Sequence, residues 1–275
     1  MLGAIIGDIV GSRFEWQEFK KKEFKLMMPS CCYTDDSLMT LAIGEAFVLG
    51  WKERYAPSFQ DFVISRMVKM GREHQAAMWG ERFYRWFMED PKPYGGCGNG
   101  AAMRVSSVGW IAESEEEVKY FSRLVTEVSH DHPEGIRGAE AVSMAIYLAR
   151  NGRPMGEIKA RMTEYYPHIA NLTLAKIRPD YGIDPLGKFI TCQGSVPEAL
   201  VAFFESESFE DAVRNAISLG GDSDTQGAIC GSVAEAYYGV PDELEEKAME
   251  YLTDKLRTIY YAFRTVKKKR IPRSE

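Results

Sequence analysis

The feature that most constrains this chain is the spacing of its apolar residues. From Leu38 to Leu49 they recur at three and four, not at two, and Phe59, Phe62, Val63, Met67 and Met70 continue the same period. That spacing gathers side chains on one face of an α-helix, so the stripe can be buried while the opposite face meets water. End signals agree. Ser114 followed by Glu117 is a capping-box pattern for a helix running to about Val128. Pro133 suits a first helical turn, and the pattern through Ala139, Val142, Ile146 and Ala149 stops at Asn151-Gly152. Further helices are predicted over 155–166, 196–205, 209–218, 224–238, 242–252 and 254–265, with Pro241 at an N-terminal helical position. There is no run of period two, no repeat of fixed length and no Pro- or Ser-rich linker. The expected fold is all-α, one compact multi-helix domain of roughly ten to thirteen helices over residues 1–266. A basic tail, 267–275, follows it, with Lys267, Lys268, Lys269, Arg270 and Arg273 as a solvated charge run.

Apolar residues make up 45% of the 275 and charged residues 27%, which is enough to bury a core and argues against a disordered chain. The net charge of −6 lacks the basic excess of a protein built to grip a nucleic-acid backbone. Five cysteines, an odd number without regular spacing or a CxxC pair, argue against a disulfide framework and against zinc. The apolar start LGAIIGDIVGS is too short to span a membrane and has neither a basic region before it nor a cleavage site after it. The expectation is a reducing, cytoplasmic compartment and no membrane partner.

Chemistry concentrates in what read as the joints between helices: GDIVGSRFE at 7–15, YTDDS at 33–37, GGCGNGAAMR at 95–104, SHDHPEG at 129–135 and GGDSDTQGA at 220–228. Two of these are alike. Thr34, Asp35 and Asp36 precede one predicted helix; Asp222, Asp224 and Thr225, around Ser223, precede another. Each offers two carboxylates and a hydroxyl, hard oxygen donors that suit Mg²⁺, Mn²⁺ or Ca²⁺ and do not select zinc or copper. Together the four carboxylates are enough to bridge a pair of divalent ions. Each cluster alone reads as a helix N-cap before it reads as a metal site, and a helix N-terminus disfavours a cation; it is the likeness of the two clusters that favours metal. Gly220 and Gly221 leave room for close approach by a ligand. Gly98, Asn99 and Gly100 sit in a loop whose N–H groups could face a phosphate, ahead of a helix beginning near Gly100, although the pattern is neither a Walker nor a Rossmann motif. Read without further context, that loop is a turn, and His130 and His132 are caps or surface residues. Arg104 reads as structural, with a phosphate or core carboxylate as the alternative partner. Cys97 has no adjacent base to make it a nucleophile.

Taken in order, these motifs resemble the ADP-ribosylglycohydrolase family, which includes dinitrogenase-reductase-activating glycohydrolases and ADP-ribose-arginine hydrolases. GAIIGDIVGSRFE is similar to the family's opening helix and its acidic residue. YTDDSLMTLAIGEA is similar to its first metal motif, with Ser37 where Thr is usual. GNGAAMR matches a GNGxxMR segment, SHDHPEGIRGAEA resembles the stretch around a TH pair with Ser129 replacing Thr, and GGDSDTQGAICGSVAEAYYG is similar to the second metal motif and the helix behind it. The resemblance covers nearly the whole chain. It implies an all-α fold, two Mg²⁺ ions with Mn²⁺ as a substitute, and a substrate that is an ADP-ribosylated protein or a small ADP-ribosyl molecule. It carries Thr34, Asp35, Asp36, Asp222, Asp224 and Thr225 over as metal ligands. It places Glu15 near the scissile bond, lines the ADP-ribose cleft with Gly98, Asn99 and Gly100, and has His130 contact the ligand. Trp16, Tyr94 and Tyr181 read as packing residues, with stacking on adenine as the alternative.

Hydrolysis at the ribose anomeric carbon passes through an oxocarbenium-like state. A pair of Mg²⁺ ions can hold ribose hydroxyls and orient a water, and a nearby carboxylate can take its proton. Glu15 is one candidate for that acid–base role and Asp35 or Asp222 the other. Two readings compete: a two-metal phosphohydrolase, for which His130-Asp131 is a suggestive dipeptide lacking its spaced partners, and a non-catalytic ADP-ribose binding module. The leaving group, ADP-ribosylated nucleic acid included, is open at this level.

Overall fold

The computed structural model describes residues 1–183 and 187–268. Fifteen α-helices account for most of it: α1 (Leu2–Gly11), α2 (Asp35–Leu49), α3 (Ser58–Glu73), α4 (Glu81–Met88), α5 (Gly100–Met103), α6 (Ser106–Ile111), α7 (Glu115–Thr126), α8 (Pro133–Arg150), α9 (Met155–Tyr165), α10 (Leu174–Ile177), α11 (Cys192–Phe204), α12 (Phe209–Ile217), α13 (Ser223–Tyr238), α14 (Asp242–Tyr251) and α15 (Asp254–Lys268). Among the described residues there is no β-strand, only two isolated antiparallel bridges, Gln17 with Gly221 and Gly98 with Thr191.

Side-chain caps account for the starts of five helices, α2, α7, α8, α10 and α12. Ser114 Oγ accepts the Glu117 N–H at 3.2 Å, as the capping pattern requires, while Glu117 Oε2 reaches back to the Glu113 N–H at 2.7 Å, one residue before the usual partner. Ser208 caps α12 through the Asp211 N–H at 3.1 Å, and His132 Nδ1 caps α8 through the Glu134 N–H at 3.1 Å. Pro241 stands at the N-cap of α14, just outside the helix rather than in it. The helix expected over 196–205 begins at Cys192. Pro197 suggests a first turn, yet the turn before it forms because the Cys192 N–H is taken up by the Cys97 carbonyl at 2.9 Å. The helix count exceeds the expected range partly because α5 and α10 are four-residue turns. No hydrophobic period can show in so short a segment.

The main correction concerns residues 7–15. Their composition reads as a joint, whereas the family resemblance makes them part of an opening helix; residues 7–11 are the second half of α1, all ten of whose residues are buried. Its glycines do not make turns. A Cβ on Gly7 would lie 1.9 Å from the Gly227 carbonyl oxygen of α13, one on Gly3 2.0 Å from that of Gly231, and one on Gly11 2.5 Å from Asp224 Cα. Glycine at every fourth residue on both helices lets two backbones touch, and α1 with α13 is the most extensive helix pair of the fold. The remaining elements assemble around this pair. α8, α11 and α12 pack on α13, and α2 lies beside α1 with α3 and α15 behind it.

α15 runs to Lys268, so it includes the first two residues assigned to the basic tail; 269–275 lie outside the described residues. No described helix is long and apolar enough to cross a membrane. All five cysteines are free thiols.

Candidate active site

The close pairing of α1 and α13 brings three chain segments together. Asp8 lies mid-way along α1, fully buried, and faces the first turn of α2. It accepts the Thr34 N–H at 2.9 Å, the Thr34 hydroxyl at 2.7 Å, the Ser37 N–H at 3.0 Å and the Ser37 hydroxyl. One carboxylate thus satisfies the orphan donors of a helix N-terminus and fixes where Asp35 and Asp36 stand. Asp36 Oδ2 reaches Thr225 Oγ1 at 3.3 Å, which joins the start of α2 to the start of α13. At the other end, the Trp16 N–H donates to the Gly221 carbonyl at 2.7 Å, the Gly221 N–H to the Gln17 carbonyl at 3.1 Å, and Ser223 Oγ to the Phe14 carbonyl at 3.0 Å. These bonds hold Glu15 beside Asp222. Trp16, with φ of 60°, is the one non-glycine residue in the left-handed region among the described residues.

The result is a concentration of buried carboxyls. Asp8, Asp36 and Asp224 each offer an oxygen within 4.8 Å of the others, and so do Glu15, Asp222 and Asp224. Asp35 is half-buried beside them. Burial, and then the charges of the neighbouring carboxylates, hold Asp35, Asp36 and Asp224 well above the usual carboxylate range. Burial pushes Asp8 to about 6 against the pull of its four hydrogen bonds. Burial and then Asp222 push Glu15 to about 7, against a bond from Trp16. Asp222 is raised by burial and restrained by Asp224, Asn99 and Thr225. Asp36 Oδ1 and Glu15 Oε2 are buried without a hydrogen-bond partner. A buried, unpartnered carboxylate oxygen among mutually repelling acids is what a divalent cation would satisfy, and every donor in the set is hard oxygen. The residues present therefore fit such an ion.

The glycine-rich loop closes a second side. Asn99 is buried, and its Nδ2 donates to Asp222 Oδ2 at 2.6 Å and Ser195 Oγ at 3.0 Å, while its N–H goes to the Ile190 carbonyl at 2.9 Å. Its amide therefore orients an acidic residue of the cluster. His130 packs beneath this loop: a Cβ on Gly98 would lie 3.5 Å from His130 Nε2, and one on Gly100 3.6 Å. Arg104 reaches neither phosphate-like space nor a carboxylate; it donates to Ser129 Oγ at 2.8 Å. Asp131 accepts the Gly95 N–H at 2.6 Å and is exposed, which separates it from the acidic cluster and leaves a His130-Asp131 metal pair without geometry.

Two readings of the residues need revision. Gly220 and Gly221 do not open room for a ligand. A Cβ on Gly220 would meet the Gln17 oxygen at 2.9 Å and one on Gly221 the Gly182 Cα at 2.8 Å, with φ of 76° and 69°. They are glycines because protein backbone crosses there in a left-handed turn. Neither acid-rich turn points to Asp8. A single acid inside an otherwise apolar decapeptide is the signal that could have found it, because a buried carboxyl demands partners.

A sequence profile described as ADP-ribosylglycohydrolase matches residues 1–269. An uncharacterized protein of Archaeoglobus fulgidus is 31% identical over 177 residues, covering 58% of this chain and 57% of that one. ADP-ribosylhydrolase ARH3 of Homo sapiens is 27% identical over 200 residues, covering 57% and 55%. The matched stretch thus spans little more than half of either relative. A solved structure described as an ADP-ribosylglycohydrolase-related protein complex shares the fold, with a TM-score of 0.69 at 22% identity over 97% of both chains.

Proposed function

This chain belongs to the ADP-ribosylglycohydrolase family, and from that premise we propose that it hydrolyses the bond joining ADP-ribose to a modified protein side chain or a small molecule. The observation that carries this is the acidic cluster. The carboxyls of Asp8, Asp36 and Asp224 and those of Glu15, Asp222 and Asp224 form two groups that share Asp224, with Asp35 next in the chain to Asp36 and with Asp36 Oδ1 and Glu15 Oε2 left without protein partners. Thr34, Asp35, Asp36, Asp222, Asp224 and Thr225 would hold Mg²⁺, two ions in this reading. When bound, the ions supply Lewis-acid polarisation of ribose hydroxyls and of an attacking water. Asp8 anchors the first turn of α2 so that its two neighbours in the cluster stand still. Asn99 fixes Asp222, and Glu15, beside Asp222, accepts the water's proton or stabilises the cationic ribose ring. Gly98, Asn99, Gly100 and His130 border the cleft for the nucleotide. The free thiols support a reducing, cytoplasmic setting.

The test is release of ADP-ribose from ADP-ribosyl-arginine and ADP-ribosyl-serine peptides, in Mg²⁺ and in EDTA, followed by chromatography. Release that needs Mg²⁺ and is lost in Asp222→Ala is expected from at least one peptide. ADP-ribose binding without turnover on either would point instead to a binding module.

A further inference from the structure

Behind the glycine loop lies a chain of polar groups that the chemistry above does not use. Arg104 is 1% exposed. Its Nη2 donates to Ser129 Oγ at 2.8 Å and, more weakly, to the carbonyls of Val125 and Thr126. Ser129 Oγ lies 2.9 Å from His130 Nδ1, and His130 Nε2 lies 3.2 Å from Tyr94 Oη. The direction of each bond follows from donor counting. A guanidinium only donates, so Ser129 Oγ accepts from Arg104 and has one hydrogen left to give. Its other neighbour is His130 Nδ1. If Nδ1 carried the ring proton, the fully buried Ser129 hydroxyl would receive two donors and its own hydrogen would have no acceptor, which is costly in a buried site. Either tautomer leaves one hydroxyl hydrogen without a protein acceptor, and the half-buried Tyr94 bears this at less cost than the fully buried Ser129, so the ring proton belongs on Nε2, where Tyr94 Oη accepts it. The phenol hydrogen then has no acceptor among the described residues.

We propose that Arg104 and Ser129 are positioning residues that hold His130 in its Nε2–H tautomer, and that Tyr94 consequently presents its hydroxyl hydrogen to an acceptor oxygen of the nucleotide bound at the Gly98–Gly100 loop. Two further observations support this. Burial, and then the Arg104 and Arg82 charges, hold His130 well below its usual range, so the ring stays neutral and has one proton to place. Tyr94 lies against the loop, since a Cβ on Gly96 would meet its ring at 2.6 Å, and Arg82 stacks 4.7 Å over that ring, adding positive charge beside it.

The identity of the ligand rests on the proposed function; the tautomer does not. Long-range nitrogen-15 correlation spectra of the full, ligand-free chain distinguish the two ring nitrogens, and His130→Gln identifies the signals among the four histidines. The Nε2–H form is expected in the wild type and in Ser129→Thr, which keeps the hydroxyl, and a mixture in Ser129→Ala. An Nδ1–H form in the wild type, or unchanged spectra in Ser129→Ala, overturns the relay. Arg104→Met is expected to relax the tautomer likewise; should it fail to fold, the Ser129 pair decides. By calorimetry, Tyr94→Phe is expected to weaken ADP-ribose binding about 3- to 10-fold, the loss of one hydrogen bond. Unchanged affinity would refute the donor role. A wild type that does not bind ADP-ribose at all would sink the proposed function instead, with the relay still decided by the spectra.

Discussion

Gly7→Ala separates two physical effects of opposite sign. In an ordinary exposed helix, alanine is favoured over glycine by about 0.5–1 kcal/mol, because glycine loses more backbone freedom on folding. At Gly7 the new Cβ would stand 1.9 Å from the Gly227 oxygen, where ordinary contact begins near 3.4 Å. The helices must therefore part by about 1.5 Å, the difference between those two distances. Both contacting groups are backbone, so no side chain can swing aside, and overpacking of this kind costs about 1–3 kcal/mol or more. Clash should win by about 1–2 kcal/mol, and at roughly 2–4 °C per kcal/mol for a domain of this size the melting temperature should fall by about 2–8 °C. The same movement would draw Asp8 away from Asp224 of α13, whose oxygens now lie within 4.8 Å of each other, so cation affinity should fall too. Gly156→Ala is the control. That glycine is exposed in α9 with nothing within 4 Å of the added carbon, and its replacement should leave stability equal or slightly higher. Calorimetric melting of both variants decides. An unchanged or raised melting temperature for Gly7→Ala would refute the argument that α1 and α13 are joined through glycine.

Mg²⁺ at a hundredfold excess over its dissociation constant should stabilise the wild type by about 2.7 kcal/mol, seen as a higher melting temperature than in EDTA. Asp36→Asn should abolish that shift while raising stability in EDTA, because it removes one of the repelling buried charges; a wild type indifferent to Mg²⁺ would contradict the fit of the cluster to a cation. Glu15→Gln should lower turnover on an ADP-ribosyl peptide about 10²- to 10⁴-fold with ADP-ribose affinity nearly unchanged, measured by release kinetics and calorimetry. Glu198 is held at about 7, above its ordinary 4.5, by burial, with Oε2 unpartnered. The folded state thus keeps a proton that the unfolded state has lost, so stability should fall as pH rises from about 4.5 to about 7, by at most about 3 kcal/mol. Glu198→Leu should flatten that difference in urea midpoints measured at pH 5 and pH 8, and parallel curves for variant and wild type would exclude the effect.

The sequence by itself determined the helical class and most of the helices. That information is local: apolar spacing, caps at Ser114 and His132, and Pro133 act between residues no more than about four apart, where helix physics operates. It also determined the two acid-rich turns, because their carboxylates are near neighbours in the chain. The tertiary structure alone decided how these parts form one site. Asn99 meets Asp222 across 123 residues and Thr34 meets Asp8 across 26. The lone acid of α1 signals locally only that a buried carboxyl needs partners, and neither it nor the glycines of α1 name those partners. By composition they read as a joint, and only the family resemblance puts them on a helix; in the fold they belong to a buried helix whose partner, α13, begins more than two hundred residues later. What a glycine or a lone buried acid does depends on what packs against it, and that contact exists only once the chain has closed.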